Sequence, residues 1–215
     1  MSIAVNNLSK LYGAQKAVNG ISFKIDKGEP YERLVNVEVS HPEKYKAAGS
    51  VFTDGKIILA GYQPRKKKPF ISGIGGKKEE GEAYMYTAVR ETVEELFEYE
   101  SIPRILIEEL KTIVPEKVLQ NGSYIIVVYN FEDLGMMLKI IGKHNLRSPL
   151  YDTFPKNLIE LIFNRRVNYD VNNVFYKPEI SHLSLLPLIE HSRSNPFVDG
   201  DFIEDMPILM KSHWR

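Results

Sequence analysis

The chain has no cysteine, which excludes disulfides, thiolate metal sites and a cysteine nucleophile together. Histidine is sparse: His41, His144, His182, His191 and His213 lie at none of the spacings that bring imidazoles onto one metal. There is no GxSxG elbow, which argues against acyl hydrolysis. Charge of either sign is not in excess, with 28 basic and 28 acidic residues in 215, so bulk attraction to nucleic acid or to a membrane is absent. No apolar run reaches the length of a bilayer span, and the N-terminus carries no continuous apolar signal core. A soluble, cytoplasmic protein without a membrane partner is expected. Internal repeats and low-complexity segments are also missing. A chain with 43% hydrophobic residues is nonetheless ample for a globular core with modest extras.

What is present is concentrated between residues 76 and 98. Gly76, Glu82, Arg90, Glu91, Glu94 and Glu95 fall where a loop runs into a helix. Helical residues three and four apart share a face, so Glu91, Glu94 and Glu95 are expected to present three carboxylates to one point. Such crowding repels itself unless a cation compensates it. Hard oxygen ligands of this kind suit Mg²⁺ or Mn²⁺, which commonly bridge carboxylates and substrate phosphates. The same segment also suits an ordinary amphipathic helix, with Ala88, Val89, Val93 and Leu96 buried and the charges solvated.

These six positions resemble the signature box of the Nudix hydrolase superfamily, which runs Gly, five residues, Glu, seven residues, Arg-Glu, an apolar residue, any residue, Glu-Glu, any residue, Gly and an apolar residue. Three positions depart: Thr92 and Glu98 replace aliphatic residues, and Phe97 replaces the glycine that ends the helix. A bulky residue adopts the left-handed conformation of that glycine only at a cost. The resemblance implies an α/β fold, a Nudix-type α-β-α sandwich with a mixed sheet. It would cover residues 33–191, with a helical insertion at about 132–178 and an irregular tail over 192–215.

The flanking pattern agrees with such a fold. Ala47 to Phe52 and Lys56 to Gly61 read as strands about the turn Asp54-Gly55, and Phe70 to Ile74 reads as the strand entering the box. Ile105 to Val114 and Ser123 to Phe131 read as a strand pair about Asn121-Gly122. Glu132 to His144 and Lys156 to Arg166 carry apolar residues at helical spacing, and Glu179 to His191 resembles a closing Nudix helix.

Residues 1–29 carry a second resemblance, to the first two strands of an ABC-transporter ATPase subunit, with Tyr12 at the place of that family's adenine-stacking aromatic. Lys27-Gly28-Glu29 is followed by Pro30-Tyr31-Glu32-Arg33, and no GxxxxGK[ST] loop occurs anywhere in the chain. A nucleotide's phosphates would have no cradle of that kind, so this segment reads as an N-terminal fragment with an extra hairpin and no ATPase role.

For the box, the resemblance implies a metal-dependent pyrophosphohydrolase that cleaves a nucleoside diphosphate linked to another group, by water attack at phosphorus. Glu91, Glu94, Glu95 and the Gly76 carbonyl would hold the metal, with Glu94 or Glu95 as base and Arg90 orienting the carboxylates. Glu82 would favour the helix's positive end, and Glu132 or Glu179 would supply a further glutamate. Arg65, Lys66, Lys67, Lys68, Lys77 and Lys78 place six cations around the box. They could bind additional phosphates of a polyphosphorylated nucleotide, a diphosphoinositol or an RNA 5′ end, or simply solvate a loop. Tyr62 and Phe70 could stack on a base or pack in the core. Family members are often dimers, which makes a homodimer an expected option. The alternative is a catalytically silent Nudix-like module that binds a nucleotide, RNA or a protein.

Overall fold

A computed structural model of the chain describes residues 3–12, 15–25, 36–64, 70–99, 101–167, 169–171, 174–176, 178–188 and 196–212. In chain order the elements begin with strands β1 (Ile3–Tyr12), β2 (Gln15–Ile25), β3 (Asn36–Glu38), β4 (Ala47–Phe52), β5 (Ile57–Gln63), β6 (Phe70–Ser72) and β7 (Ile74–Lys77). Helices α1 (Tyr84–Phe97) and α2 (Arg104–Leu110) follow, then β8 (Lys117–Asn121), β9 (Tyr124–Tyr129), α3 (Phe131–Lys143) and α4 (Leu158–Phe163). The chain continues through β10 (Tyr169–Val171), β11 (Val174–Tyr176), β12 (His182–Pro187) and α5 (Gly200–Ser212).

The main sheet has the order β3-β8-β9-β4-β7 and is mixed, with β4 parallel to β9, β3 parallel to β8, and the other pairs antiparallel. A second sheet has the order β12-β5-β6. β9 shows why the architecture is layered: its side chains alternate faces, so Ile125, Val127 and Tyr129 enter one core while Ile126 and Val128 enter another. The first core is closed by α1, α2, α3 and α4, through Val93, Leu106, Leu138 and Leu161 among others. The second is closed by Phe202, Met206 and Leu209 of α5. The result is an α-β-α sandwich with a mixed sheet, as the sequence implies. A strand buried on both faces reads as a continuous apolar run, which is what Tyr124–Tyr129 is.

Several local expectations are corrected. Ile105–Val114 is not a strand: Leu106, Ile107, Leu110 and Ile113 are buried at helical spacing, and 104–110 is α2. The strand that pairs with β9 across the Asn121-Gly122 turn is β8. β4 and β5 do not form one hairpin. Asp54 Oδ1 accepts the amides of Lys56 and Ile57, each at 2.9 Å, but beyond the Thr53–Ile58 bridge the two strands part into different sheets. The strand expected over Phe70–Ile74 is likewise split at Gly73 between both sheets.

At the C-terminal side, His182–Pro187 within the expected helix over Glu179–His191 is instead β12, antiparallel to β5, and residues 189–191 lie outside the described residues. Leu183 and Leu185 serve the first core while Leu186 serves the second, so burial on two faces hides the alternation of a strand. The tail is not wholly irregular: Asp199 Oδ1 accepts from the amides of Asp201 and Phe202, starting α5 as a helix cap does. Because Val198, Phe202, Met206 and Leu209 complete the second core, the packed unit runs past residue 191 into α5. β1 and β2 pair antiparallel in a two-stranded sheet of their own. No helix among the described residues is long and apolar enough to cross a membrane.

Asp205 of α5 is buried, 9% exposed, and accepts a hydrogen bond from Asn121 Nδ2 at 2.8 Å. Burial pushes its carboxyl up to about 6; the Asn121 hydrogen bond opposes this, and Asp201, Glu204 and Asp199 add to it. A folded-state value above the unfolded one means that the associated stability is full below the unfolded value and is lost as pH rises through about 6. Asp205→Asn removes the titration, so its stability relative to the unsubstituted protein should grow between pH 4 and 7 by on the order of 1–3 kcal/mol. Urea melts across that range check it, and parallel curves would refute the assignment.

Candidate active site

The strand-loop-helix begins at a close approach between two strands. β7 lies antiparallel to β4 with Gly75 opposite Gly49. A Cβ on Gly75 would lie 2.4 Å from the Gly49 Cα, and one on Gly49 would lie 2.0 Å from the Tyr124 hydroxyl. Glycine at both positions therefore makes room for backbone and for the Tyr124 hydroxyl. α1 then packs across β4 and β7. Thr92, in place of an aliphatic residue, sets its hydroxyl within hydrogen-bond distance of Ser50 Oγ on β4 and of the Ala88 carbonyl, both at 2.7 Å. Its polar atom is thus satisfied inside the core.

Arg90 organises the site. The residue is 8% exposed, and its guanidinium reaches Glu82 Oε1 at 2.7 Å, Glu94 Oε2 at 2.7 Å, Glu91 Oε1 at 2.9 Å and the Lys77 carbonyl at 2.8 Å. Charge-assisted bonds of this length are the strong kind. Although burial opposes the Arg90 charge, the Glu82 hydrogen bond and the surrounding carboxylates raise its pKa above the usual arginine value. Glu82 also accepts from the Glu79 amide and the Thr87 hydroxyl. Burial works against its charge, yet Arg90 and these donors hold its carboxyl below the ordinary value. Glu82 is thus the partner that joins loop to helix.

Glu91, Glu94 and Glu95 are in a different condition. Burial, offset only in part by Arg90 and reinforced by Glu94 and Glu179, pushes Glu91 up to about 7. Burial also raises Glu94. Glu95 is 5% exposed, with Oε2 accepting the Gly75 amide at 2.7 Å. Its burial, with Glu179 and Glu91 adding to it, raises its pKa well above the usual carboxylate value. Burial therefore disfavours the charged form of all three, and their hydrogen-bonding and cationic neighbours offset it only in part.

The three carboxylates do not meet at one point, as helical spacing alone suggested. Arg90 draws Glu91 and Glu94, and the Gly75 amide draws Glu95. Among the described residues no group of three His, Cys, Asp or Glu is disposed to hold a metal. The donor chemistry still suits a hard divalent cation. Glu91 also lies directly against Gly76, where a Cβ would fall 2.3 Å from Oε2.

The helix exit also differs from expectation. Phe97 is not the left-handed residue: it stays helical, and Glu98 takes the position, with φ 46° and ψ 48°. Phe97 is fully buried and stacks on Tyr99 and Phe154, with centroids 5.4 and 5.3 Å away. Its carbonyl accepts from Ser148 Oγ at 2.5 Å.

Of the six cations, Lys77 and Lys78 are exposed, and the Lys78 ammonium lies 4.5 Å from the centre of the Tyr45 ring. Arg65, Lys66, Lys67 and Lys68 lie outside the described residues. Tyr62 packs edge-on against His182. Glu132 stands in the first turn of α3, whereas the charge of Glu179 bears on Glu91 and Glu95. A cleft of about 570 Å³ opens beside the box, lined by Glu82, Tyr86, Arg90, Glu94, Arg104 and Lys111 among others. Tyr124, Ser148, Arg165 and the cleft's Arg104 and Lys111 were not anticipated from the sequence. Only the glycine inside β4 gave a sign of the Tyr124 contact.

No protein-family model matches the chain, and no curated protein does. Among solved structures it is similar to a bifunctional NMN adenylyltransferase/ADP-ribose pyrophosphatase from Francisella tularensis, solved with AMP and manganese, at 12% identity and a TM-score of 0.43. That alignment covers 86% of this chain and 43% of the other, so the chain spans less than half of that protein's length. The E. coli ORF135 protein aligns at 17% identity and a TM-score of 0.33, over 78% of this chain and 91% of its own. Likeness at this level carries no weight for activity, which has to be argued from the residues.

The two loop glycines should respond differently to alanine. At Gly75 the added carbon meets backbone, whereas at Gly76 it meets only the end of the Glu91 side chain. Gly75→Ala is expected to cost about 1–3 kcal/mol or more through overpacking. Gly76→Ala should leave the melting temperature nearly unchanged while displacing the Glu91 carboxylate. Thermal melts of both variants decide this, and equal destabilisation would contradict the packing described.

Proposed function

We propose that the chain is a metal-dependent pyrophosphohydrolase of the Nudix type, cleaving the diphosphate linkage of a nucleoside diphosphate joined to another group by water attack at phosphorus. The observation that carries this reading is the buried Arg90 gathering Glu82, Glu91 and Glu94 behind a Gly75-Gly76 loop tethered by Glu95. A surface helix with solvated charges has no need of such an arrangement, and here the charges are largely enclosed.

Glu91, Glu94, Glu95 and the Gly76 carbonyl are the oxygen donors proposed for Mg²⁺ or Mn²⁺. The raised pKa values of Glu91 and Glu95 are consistent with that assignment, since burial disfavours their charged forms and a bound cation would stabilise those forms. A bound ion would neutralise the diphosphate and acidify the attacking water. The protein's own contributions differ by residue. Glu94, whose side chain is 42% exposed, is open to solvent and is proposed to take the proton from water. Glu95, enclosed against β7, fixes the loop through the Gly75 amide. Arg90 keeps Glu82, Glu91 and Glu94 in register. Arg65, Lys66, Lys67, Lys68, Lys77 and Lys78 are proposed to receive further phosphates, which favours polyphosphorylated nucleotides or an RNA 5′ end among substrates. Residues 1–29 are assigned no part in the reaction.

The test is a substrate panel of nucleotide sugars, dinucleoside polyphosphates, nucleoside triphosphates, capped RNA and diphosphoinositols, with Mg²⁺, Mn²⁺ or chelator. Metal-dependent release of phosphate or a nucleoside monophosphate is expected from at least one class. Glu94→Gln and Glu95→Gln should each lower turnover by roughly 10²–10⁴-fold while remaining folded. Undiminished turnover in both folded variants would refute the site. Absence of metal-dependent turnover across the panel would assign the silent binding module instead.

A further inference from the structure

The box helix ends without its glycine, and residues distant in sequence take over that end. Arg165 is 5% exposed, and its guanidinium donates to the Leu96 carbonyl at 2.6 Å, the Glu95 carbonyl at 2.8 Å and the Tyr151 hydroxyl at 3.1 Å. It also donates twice to the Ile180 carbonyl, at 3.2 and 2.7 Å. A cation on the last carbonyls of a helix is favoured by the helix dipole, and it satisfies acceptors that the helix itself cannot. Glu98, the left-handed residue after the helix, accepts the Glu179 amide on Oε1 at 2.6 Å. Residues 179 and 180 are therefore held from two sides: the first by its N–H on Glu98, the second by its carbonyl on Arg165.

That segment carries Glu179, whose charge bears on both Glu91 and Glu95. Two departures from the box then acquire a purpose. Phe97 prolongs the helix by one residue and fills an aromatic cluster with Tyr99, Tyr151 and Phe154. The prolongation moves the left-handed turn to Glu98, and a glutamate there can reach the Glu179 amide where an aliphatic residue could not.

We propose that Arg165 and Glu98 are positioning residues that replace the helix-ending glycine and clamp residues 179–180 to the end of the helix that carries Glu91 and Glu95. The proposal rests on the hydrolase reading only for its catalytic consequence; the clamp itself is tested without turnover.

Arg165 is too deeply bonded for a simple deletion to remain informative, so the primary variants are Glu98→Ala and Glu98→Gln. Amide exchange of Glu179 should lose its protection in Glu98→Ala and keep it in Glu98→Gln, whose carbonyl still accepts the bond. If the protein hydrolyses a panel substrate, Glu98→Ala should lower kcat by about tenfold to a hundredfold, as misplacement of a catalytic group does, with KM within about twofold. Glu98→Gln should restore kcat. Arg165→Lys keeps the charge but not the planar fork, and it should lower kcat in the same direction. Retained Glu179 protection in Glu98→Ala overturns the clamp, as does Glu98→Gln behaving like Glu98→Ala. Unchanged kcat in folded Glu98→Ala overturns its catalytic consequence. An inactive protein that loses Glu179 protection in Glu98→Ala retains the clamp and rejects only the hydrolase reading.

Discussion

Arg90 is a guanidinium almost wholly inside the protein, and the structure around residues 76–98 depends on its finding partners there. A buried unpaired charge is among the most costly features a fold can contain. Arg90 avoids that by bonding Glu82 from the loop, Glu91 and Glu94 from its own helix, and the Lys77 carbonyl from β7. The loop between β7 and α1 is thereby closed on its own helix without a side-chain cap at Ala83. Loss of any one partner would leave the others to hold the loop, and loss of Arg90 would leave three carboxylates facing one another.

The same residue does not serve every carboxylate equally. Glu82 is brought below its ordinary pKa by Arg90, Glu79 and Thr87 despite burial, whereas Glu91 and Glu95 are pushed up, chiefly by burial. This division separates a structural carboxylate from carboxylates suited to a ligand. Groups whose pKa is displaced by burial and by named neighbours cluster at functional sites, and Glu94, which burial also raises, lines the cleft beside α1. Here the displacement has a geometric cause, because α1 lies against β4 and β7 with Glu95 turned inward to Gly75.

Much of this was legible in the residues, for reasons that can be named. Ala47–Phe52 and Tyr124–Tyr129 are buried on both faces, so each reads as a strand without alternation, interrupted only by Ser50 in the first, and each is one. Asp54-Gly55 marks a turn correctly, but no local signal shows that β4 and β5 then join different sheets. The misreadings share a cause in periodicity. Ile105–Val114 has β-branched content, and its burial at 106, 107, 110 and 113 follows a helix. β12 contributes Leu183, Leu185 and Leu186 to two cores and so loses the alternation of a half-buried strand. α5 lies in a stretch rich in turn formers that reads as irregular, although Asp199, Phe202, Met206 and Leu209 supply a cap and an apolar face. At the site, spacing placed Glu91, Glu94 and Glu95 near one another but could not show that Arg90 would draw Glu91 and Glu94 to one nitrogen while the Gly75 amide draws Glu95 to β7.

The end of the box helix shows how a motif can keep its geometry while losing a residue that defines it. Glycine at such a position supplies left-handed backbone freely, and any other residue requires compensation. Here the strain is moved one residue onward to Glu98, and the compensation is distributed. Phe97 is fully buried among three aromatic rings, a burial of the kind whose removal costs about 3–5 kcal/mol. Ser148 and Arg165 cap the carbonyls of Glu95, Leu96 and Phe97. All of these partners except Tyr99 come from residues 148–165, the stretch read from the sequence as an insertion. That stretch therefore completes the box helix itself, and replacing Phe97 with glycine alone would remove the aromatic contact while leaving a cap built for a longer helix.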